Sequence, residues 1–153
     1  VVRVQPSSRD PCARPSSGWV ALAHAWHPHH EAAAAWIDPL GPEYRIYFCR
    51  LTQLGLLRVL TTRSAMGENV MTQSAAWKVY DRFFQDCRND YLDEPRELES
   101  RFRLNTSRGE ASPKQWADGY VAAFAETAGL RLVTFDKALS QRVRWAILLK
   151  GLA

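Results

Sequence analysis

Residues 115–136 read Q-W-A-D-G-Y-V-A-A-F-A-E-T-A-G-L-R-L-V-T-F-D, an apolar segment with an aspartate near each end. Ser112 is a good helix N-cap residue, Pro113 suits the first helical position, and Gly129 is a C-terminal stop. The spacing therefore predicts a helix ending near Ala128 and a buried strand over 130–135. If the strand packs back along its helix, the two legs can be measured. Asp118 to Ala128 is ten helical rises of ~1.5 Å, about 15 Å, and Leu130 to Asp136 is six strand rises of ~3.3 Å, about 20 Å. The chain goes out and returns almost level, which brings Asp118 close to Asp136, just past the strand's carboxyl end. That edge of an open α/β sheet is where sites usually lie.

Upstream, short apolar strands alternate with helices. The stretch 5–18, Q-P-S-S-R-D-P-C-A-R-P-S-S-G, holds three prolines, four serines and a glycine and follows neither a period of 2 nor one of 3.6. It reads as a loop or arm, with only 1–4 left for a short strand. W-V-A-L-A-H-A-W is helical, His27-Pro28 breaks it, and H-H-E-A-A-A-A-W-I restarts a helix. Residues 44–49 alternate as a strand, and L-T-Q-L-G-L-L-R-V-L follows as a helix with Leu51, Leu54 and Leu57 inward. After a loop over 62–71, Thr72 caps a helix on which Ala76, Val79, Tyr80 and Phe83 share a face. A short strand near Tyr91, a helix after Pro95 and a polar loop N-T-S-R-G-E-A-S lead to the opening segment. A helix K-A-L-S-Q-R-V and an apolar tail W-A-I-L-L follow it. This order predicts an α/β fold around a mostly parallel sheet. Residues 1–18 form an atypical Pro/Ser-rich arm, and 19–153 form one domain.

Composition is compatible with one globular unit: 153 residues, 46% hydrophobic, six tryptophans. A net charge of +4 permits a polyanionic partner without the density of a histone-like tail. Cys12, Cys49 and Cys87 form no C-x-x-C pair, which argues against a disulfide framework or a zinc knuckle. The chain shows no signal-peptide core and no apolar run near the ~20 residues of a membrane span. A reduced, cytoplasmic protein without a membrane partner is expected.

Two carboxylates in one cleft repel, and a divalent cation is the commonest way to keep both ionised. Magnesium suits them, because it takes hard oxygen ligands and often needs only one or two carboxylates plus substrate phosphate. Such a metal activates water and stabilises charge on a phosphodiester. The plainer alternative is a helix-start aspartate favoured by the macrodipole and a strand-end aspartate capping D-K-A-L. Lys114 and Thr134 flank the pair and are candidates for shaping it. Trp116 is a candidate for stacking a base, though core packing is the favoured reading. His24, His27, His29 and His30 suggest zinc, but they straddle a proline turn without a partner of suitable spacing, and a solvated loop is expected. Arg96, Arg101, Arg103, Arg108 and Lys114 either hold phosphates or pair with Glu94, Glu97 and Glu99 on a solvated face.

W-A-D-G-Y-V-A-A-F-A followed by L-V-T-F-D resembles the third and fourth acidic motifs of PIN-domain ribonucleases, specifically the VapC-type toxins of toxin-antitoxin pairs. A-L-A-H-A-W-H-P-H-H-E-A-A-A-A-W, F-C-R-L-T-Q-L-G-L-L-R-V-L-T and S-P-K-Q-W-A-D-G-Y resemble the same branch, so the likeness spans about 19 to 140. It implies a three-layer α/β/α fold, acidic residues binding Mg²⁺ or Mn²⁺, and endonucleolytic cleavage of RNA. It also implies a cognate antitoxin, with a homodimer as the expected assembly. Asp118 and Asp136 match metal-site aspartates. Gln53 stands where many relatives carry a glutamate; its carbonyl can accept a metal or hold a water but supplies no charge. Ungapped alignment puts Pro15 where the family has the aspartate that ends its first strand, with Asp10 the only nearby substitute. The expected function is a metal-dependent endoribonuclease toxin. The alternatives are a PIN-fold protein that binds RNA or antitoxin without cleaving, and a defective product whose missing first strand exposes a sheet edge.

Overall fold

The computed structural model describes residues 11–13, 16–25, 27–107, 109 and 111–150. Five strands, β1 (Pro11–Ala13), β2 (Arg45–Phe48), β3 (Asn89–Tyr91), β4 (Arg131–Thr134) and β5 (Ile147–Leu148), form one sheet in the order β3-β2-β1-β4-β5. Every pairing is parallel. The helices are α1 (Ser16–Ala23), α2 (His30–Ile37), α3 (Arg50–Leu60), α4 (Arg63–Met66), α5 (Gln73–Phe83), α6 (Leu98–Thr106), α7 (Lys114–Thr127) and α8 (Lys137–Ser140). Strand order reverses between β1 and β4, so the crevice at their carboxyl ends is the switch point where ligands collect in open parallel sheets.

Each face of the sheet carries its own core. On one, Ile46, Phe48 and Val133 meet Trp19 of α1, Leu56 and Leu60 of α3 and Tyr80 of α5, with Trp19 stacked on Phe48 at 3.6 Å between ring centroids. On the other, Leu132 meets Val121 to Ala125 of α7, Leu98 of α6 and Leu139 of α8. The result is the expected α/β/α sandwich. Alternating side chains serve both layers, since Leu132 and Val133 are neighbours in β4 that face opposite cores.

Three local expectations need correction. Within the stretch 5–18 expected as loop, Pro11–Ala13 forms the central strand, with Cys12 level with Ile46 and Arg131, and α1 begins at Ser16. Proline fits there as the strand's first residue, and three residues between Pro11 and Pro15 are too few to show a period of two. The sheet therefore has its middle strand instead of an open edge. The strand expected over 1–4, and Asp10 and Pro15, lie outside the described residues. In α3 the inward face is Thr52, Gln53, Leu56 and Leu60, while Leu54 is 56% exposed. Phase is set at the helix start, where the Cys49 N–H donates to Thr52 Oγ1 at 3.0 Å, so the register of three visible leucines misleads. Residues 62–71, expected as loop, include α4 and a 3-10 turn at Gly67–Asn69.

α7 is the longest helix described, and it ends as its sequence predicts. Gly129 takes φ 64°, and the Leu130 N–H donates to the Ala125 carbonyl at 2.9 Å in a Schellman closure. At its other end α7 lies close against α6: a Cβ on Gly119 would overlap Thr106 Cγ2. Thr106 cannot easily turn away, because its hydroxyl donates to the Phe102 carbonyl at 2.7 Å. Gly119→Ala should therefore cost about 1–3 kcal/mol despite alanine's better helix propensity. Adding Thr106→Ser, which removes Cγ2 and keeps the hydroxyl, should restore most of the loss in urea denaturation. A Gly119→Ala protein as stable as wild type would show that α6 and α7 do not pack this closely.

Candidate metal centre

Asp118 lies in the second turn of α7 and Asp136 is the N-cap of α8, two residues past β4. The helix and its return strand do bring them level: Lys114 Nζ ion-pairs with Oδ2 of Asp118 at 3.7 Å and with Oδ2 of Asp136 at hydrogen-bond range. Asp136 is held from every side. Its Oδ1 accepts the Leu139 N–H at 3.0 Å, and its own N–H donates to Oγ1 of Thr134, which is 1% exposed. The capping role expected as the plainer alternative is therefore real, and it fixes the carboxylate that a metal would need. Both flanking residues named from sequence, Lys114 and Thr134, touch the pair.

The two carboxyls are pushed in opposite directions. Burial raises Asp118 above the ordinary aspartate value, with Lys114 opposing and the negative charge of Asp136 adding to the rise. The Lys114 hydrogen bond and the α8 amides hold Asp136 below that value. Lys114 is raised in turn, chiefly by Asp136. A cleft of about 110 Å³ opens beside Asp118, lined by Leu104, Asn105, Asp118, Gly119, Ala122 and Arg142. It has room for about three or four waters at ~30 Å³ each.

Asn105, near the end of α6, was not singled out in the sequence. It is the first residue of what was expected as a polar loop and lies instead in α6, and its signal is visible only in three dimensions: the buried Nδ2 has no hydrogen-bond partner although Asn105 lines the cleft. Arg142, also missed, is steadied by Gln115 at the cleft's edge. An orphaned amide donor on a residue that lines the same cleft as a carboxylate is suited to a water or a phosphate oxygen.

Other sequence candidates lie elsewhere. Gln53 is buried in α3, where its Oε1 accepts from Arg50 and its side chain bonds Tyr80; it does not line the cleft. Trp116, for which core packing was favoured, is 61% exposed with its ring edge-on to Phe102, because its angle on α7 points away from the sheet. The histidines are half-buried rather than solvated. His30 Nδ1 bonds the Ala21 carbonyl, His27 Nδ1 accepts the His29 N–H, and His29 stacks on Phe135 at 4.4 Å, next to Asp136. Burial lowers both His24 and His27. Arg101 pairs with Glu126 and Arg103 with Glu99, so these two serve the solvated face; Arg108 lies outside the described residues. Among the described residues, no three His, Cys, Asp or Glu side chains gather as a metal cluster. The donor set is thus two hard carboxylates already sharing a cation. That fits magnesium or manganese with open positions for water and substrate, and does not fit a closed zinc site.

Comparison with known proteins bears on this geometry. The PIN domain model matches residues 16–144. Ribonuclease VapC41 of Mycobacterium tuberculosis, in strains CDC 1551 / Oshkosh and H37Rv alike, is 43% identical over 127 residues, 80% of this chain and 87% of that protein. The VapBC2 structure from Rickettsia felis, bound to a promoter DNA fragment, matches with a TM-score of 0.65 at 13% identity, covering 90% of this chain and 96% of that one. The sarcin-ricin loop cleaving toxin VapC20 of Mycobacterium tuberculosis gives 0.60 at 16% identity over 85% and 93%. At such identities the two structures speak for the fold alone.

The opposite shifts predict opposite effects on stability. Asp118's charged form costs stability above its raised folded value, and the cost fades as pH falls through it. Asp136 stabilises above the unfolded carboxylate value, and that gain is lost as pH falls through its depressed folded value. Without divalent metal at neutral pH, Asp118→Asn should melt as high as wild type or higher. Asp136→Ala, losing its cap and its lysine bond, should lose about 1–2 kcal/mol. Equal losses from both, measured by calorimetry across pH, would contradict this assignment.

Proposed function

The chain belongs to the PIN domain family and to its VapC ribonuclease branch, and from that premise we propose that Asp118 and Asp136 are the metal-binding heart of an endoribonuclease toxin. The single observation that carries the site assignment is the Lys114 ammonium shared between the two carboxylates, which marks a point where positive charge is held by both. The enzyme is a ribonuclease toxin of a toxin-antitoxin system, and divalent metal dependence is general in its family. Mg²⁺ or Mn²⁺ would be held by Asp118 and Asp136, and when bound it supplies an activated water and stabilises the charge that develops on the phosphodiester.

The chain's own residues set up that chemistry. Thr134 fixes the Asp136 backbone through its N–H and the Leu139 N–H aims the carboxylate, so little reorganisation is needed at the moment of attack. Asn105, whose amide is unpaired, lines the cleft, and Arg142 supplies positive charge at the cleft wall for the RNA backbone. Gln53, held by Arg50 and Tyr80, supports the α3 start. A cognate antitoxin is the natural partner. We take the PIN unit to begin with β1 and the protein to act in the cytoplasm as a homodimer. Exposed Trp77 and Phe84, both against Tyr80, offer an apolar surface for a second copy.

A second reading keeps the fold and drops the chemistry. It is favoured by the count of acids, since two carboxylates without a third among the described residues hold a cation weakly. The readings separate cleanly. Asp118→Ala should lower RNA cleavage more than about a hundredfold, beyond the 10–100-fold typical of residues that only support a ligand. Excess chelator should abolish wild-type cleavage, and circular dichroism should show the fold retained. Full activity in chelator, or in the mutant, would sink the metal-dependent reading. Calorimetry that detects no Mn²⁺ binding would favour the protein that binds without cutting.

A further inference from the structure

Lys114 sits where helix energetics disfavour it. It is the first residue of α7, where the macrodipole is positive, and it precedes Asp118 by four residues, the poorer order for an ion pair on a helix. No acidic residue in the first turn offsets it. What holds the ammonium there is the site, namely Oδ2 of Asp118 and Oδ2 of Asp136. On Asp136 this is the oxygen left for a metal, since Oδ1 is already committed to the Leu139 N–H, and on Asp118 it is one of the two carboxylate oxygens. Two carboxylates carry a charge of −2, and a divalent ion neutralises them completely. Adding the ammonium would place two cations side by side on the same two oxygens, with strong mutual repulsion.

We propose that Lys114 is a built-in competitor for the divalent cation, bridging Asp118 and Asp136 so that the nuclease site fills only when the metal displaces the lysine. The idea rests on the reading of Asp118 and Asp136 as metal ligands. It adds that the chain sets its own metal threshold through one side chain. Displacement is easy sterically: the Lys114 side chain is 64% exposed, so the released ammonium returns to water. The carboxylates are more enclosed, at 17% and 31%, and lose more if left without a cation. Lysine therefore offsets one of the pair's two negative charges whenever metal is scarce, and it yields to a charge twice its own.

The test is Mn²⁺ titration by calorimetry on wild type, Lys114→Gln, Lys114→Arg and Asp118→Asn, with melting curves in chelator and in saturating Mn²⁺. Removing two partly exposed ion pairs from the competing state should tighten Mn²⁺ binding by about tenfold in Lys114→Gln. That variant should melt below wild type in chelator and reach or exceed it in saturating Mn²⁺. Lys114→Arg, which keeps the charge, should bind Mn²⁺ like wild type within about threefold. If Lys114→Gln binds Mn²⁺ no tighter than wild type while Asp118→Asn loses binding, the competition is overturned and the metal site stands. If Asp118→Asn binds Mn²⁺ as wild type does, the metal reading itself fails. A Lys114→Arg protein that gains affinity as much as Lys114→Gln would also overturn the proposal, because the charge would then be irrelevant.

Discussion

The turn at Gly129 is the constraint on which the site depends. With φ at 64°, it lets α7 end in a Schellman closure and hands the chain directly to β4, which runs back under its own helix. Helix and strand have fixed rises, so once the turn is placed the levels of Asp118 and Asp136 follow. The buried runs Val121 to Ala125 and Leu130 to Val133 hold the two legs together, and Gly119 lets α6 close over the outside. A shift of one residue in the turn would carry Asp136 about 3.3 Å along the strand and to the opposite face.

Placing two acids at that level has an energetic consequence that the surrounding residues manage unequally. Asp136 is absorbed into the fold, as a helix cap with Thr134 beneath it, and its charge helps the protein stand. Asp118 faces a partly buried cleft, where Lys114 and Arg142 offset its burial only in part, and it sits near a like charge. One acid thus supports the fold, while the charge of the other opposes stability. That asymmetry is what a chemically useful pair looks like, since a carboxylate fully satisfied by the protein has little left for a cation.

Sequence alone revealed the α7–β4 unit because its punctuation is strong: proline at the start, glycine at the stop, and apolar residues between with no break. It concealed β1, because three residues beside prolines carry no period, and a strand supported on both sides by neighbours needs no propensity of its own. The inward face of α3 was misread because Leu51, Leu54 and Leu57 draw the eye, whereas Cys49 and Thr52 fix the phase with one capping pair. Leu51 packs on the opposite core from Leu57. At the site, acidic residues could be found from spacing and from family likeness. Asn105 and Arg142 could not, since each lies near the end of a short helix with no local pattern that aims it at the cleft. Trp116 shows the same limit in reverse: a tryptophan in an apolar helix suggests burial, and only the angle on α7 exposes it.

Two carboxylates change what the metal means for such an enzyme. A site with more acids can hold its cation before substrate arrives. Among the described residues Asp118 and Asp136 stand alone, and such a pair would leave most positions to water, with an RNA phosphate supplying the next negative charge. Metal and RNA binding would then be linked, each raising the affinity of the other by the same factor. Arg142 and the Asn105 amide belong to that logic, because they favour the phosphate and not the metal directly. A cation that is bound firmly only together with RNA leaves the carboxylates to Lys114 at other times. The same two oxygens would then serve the resting protein as an ion pair and the working enzyme as ligands.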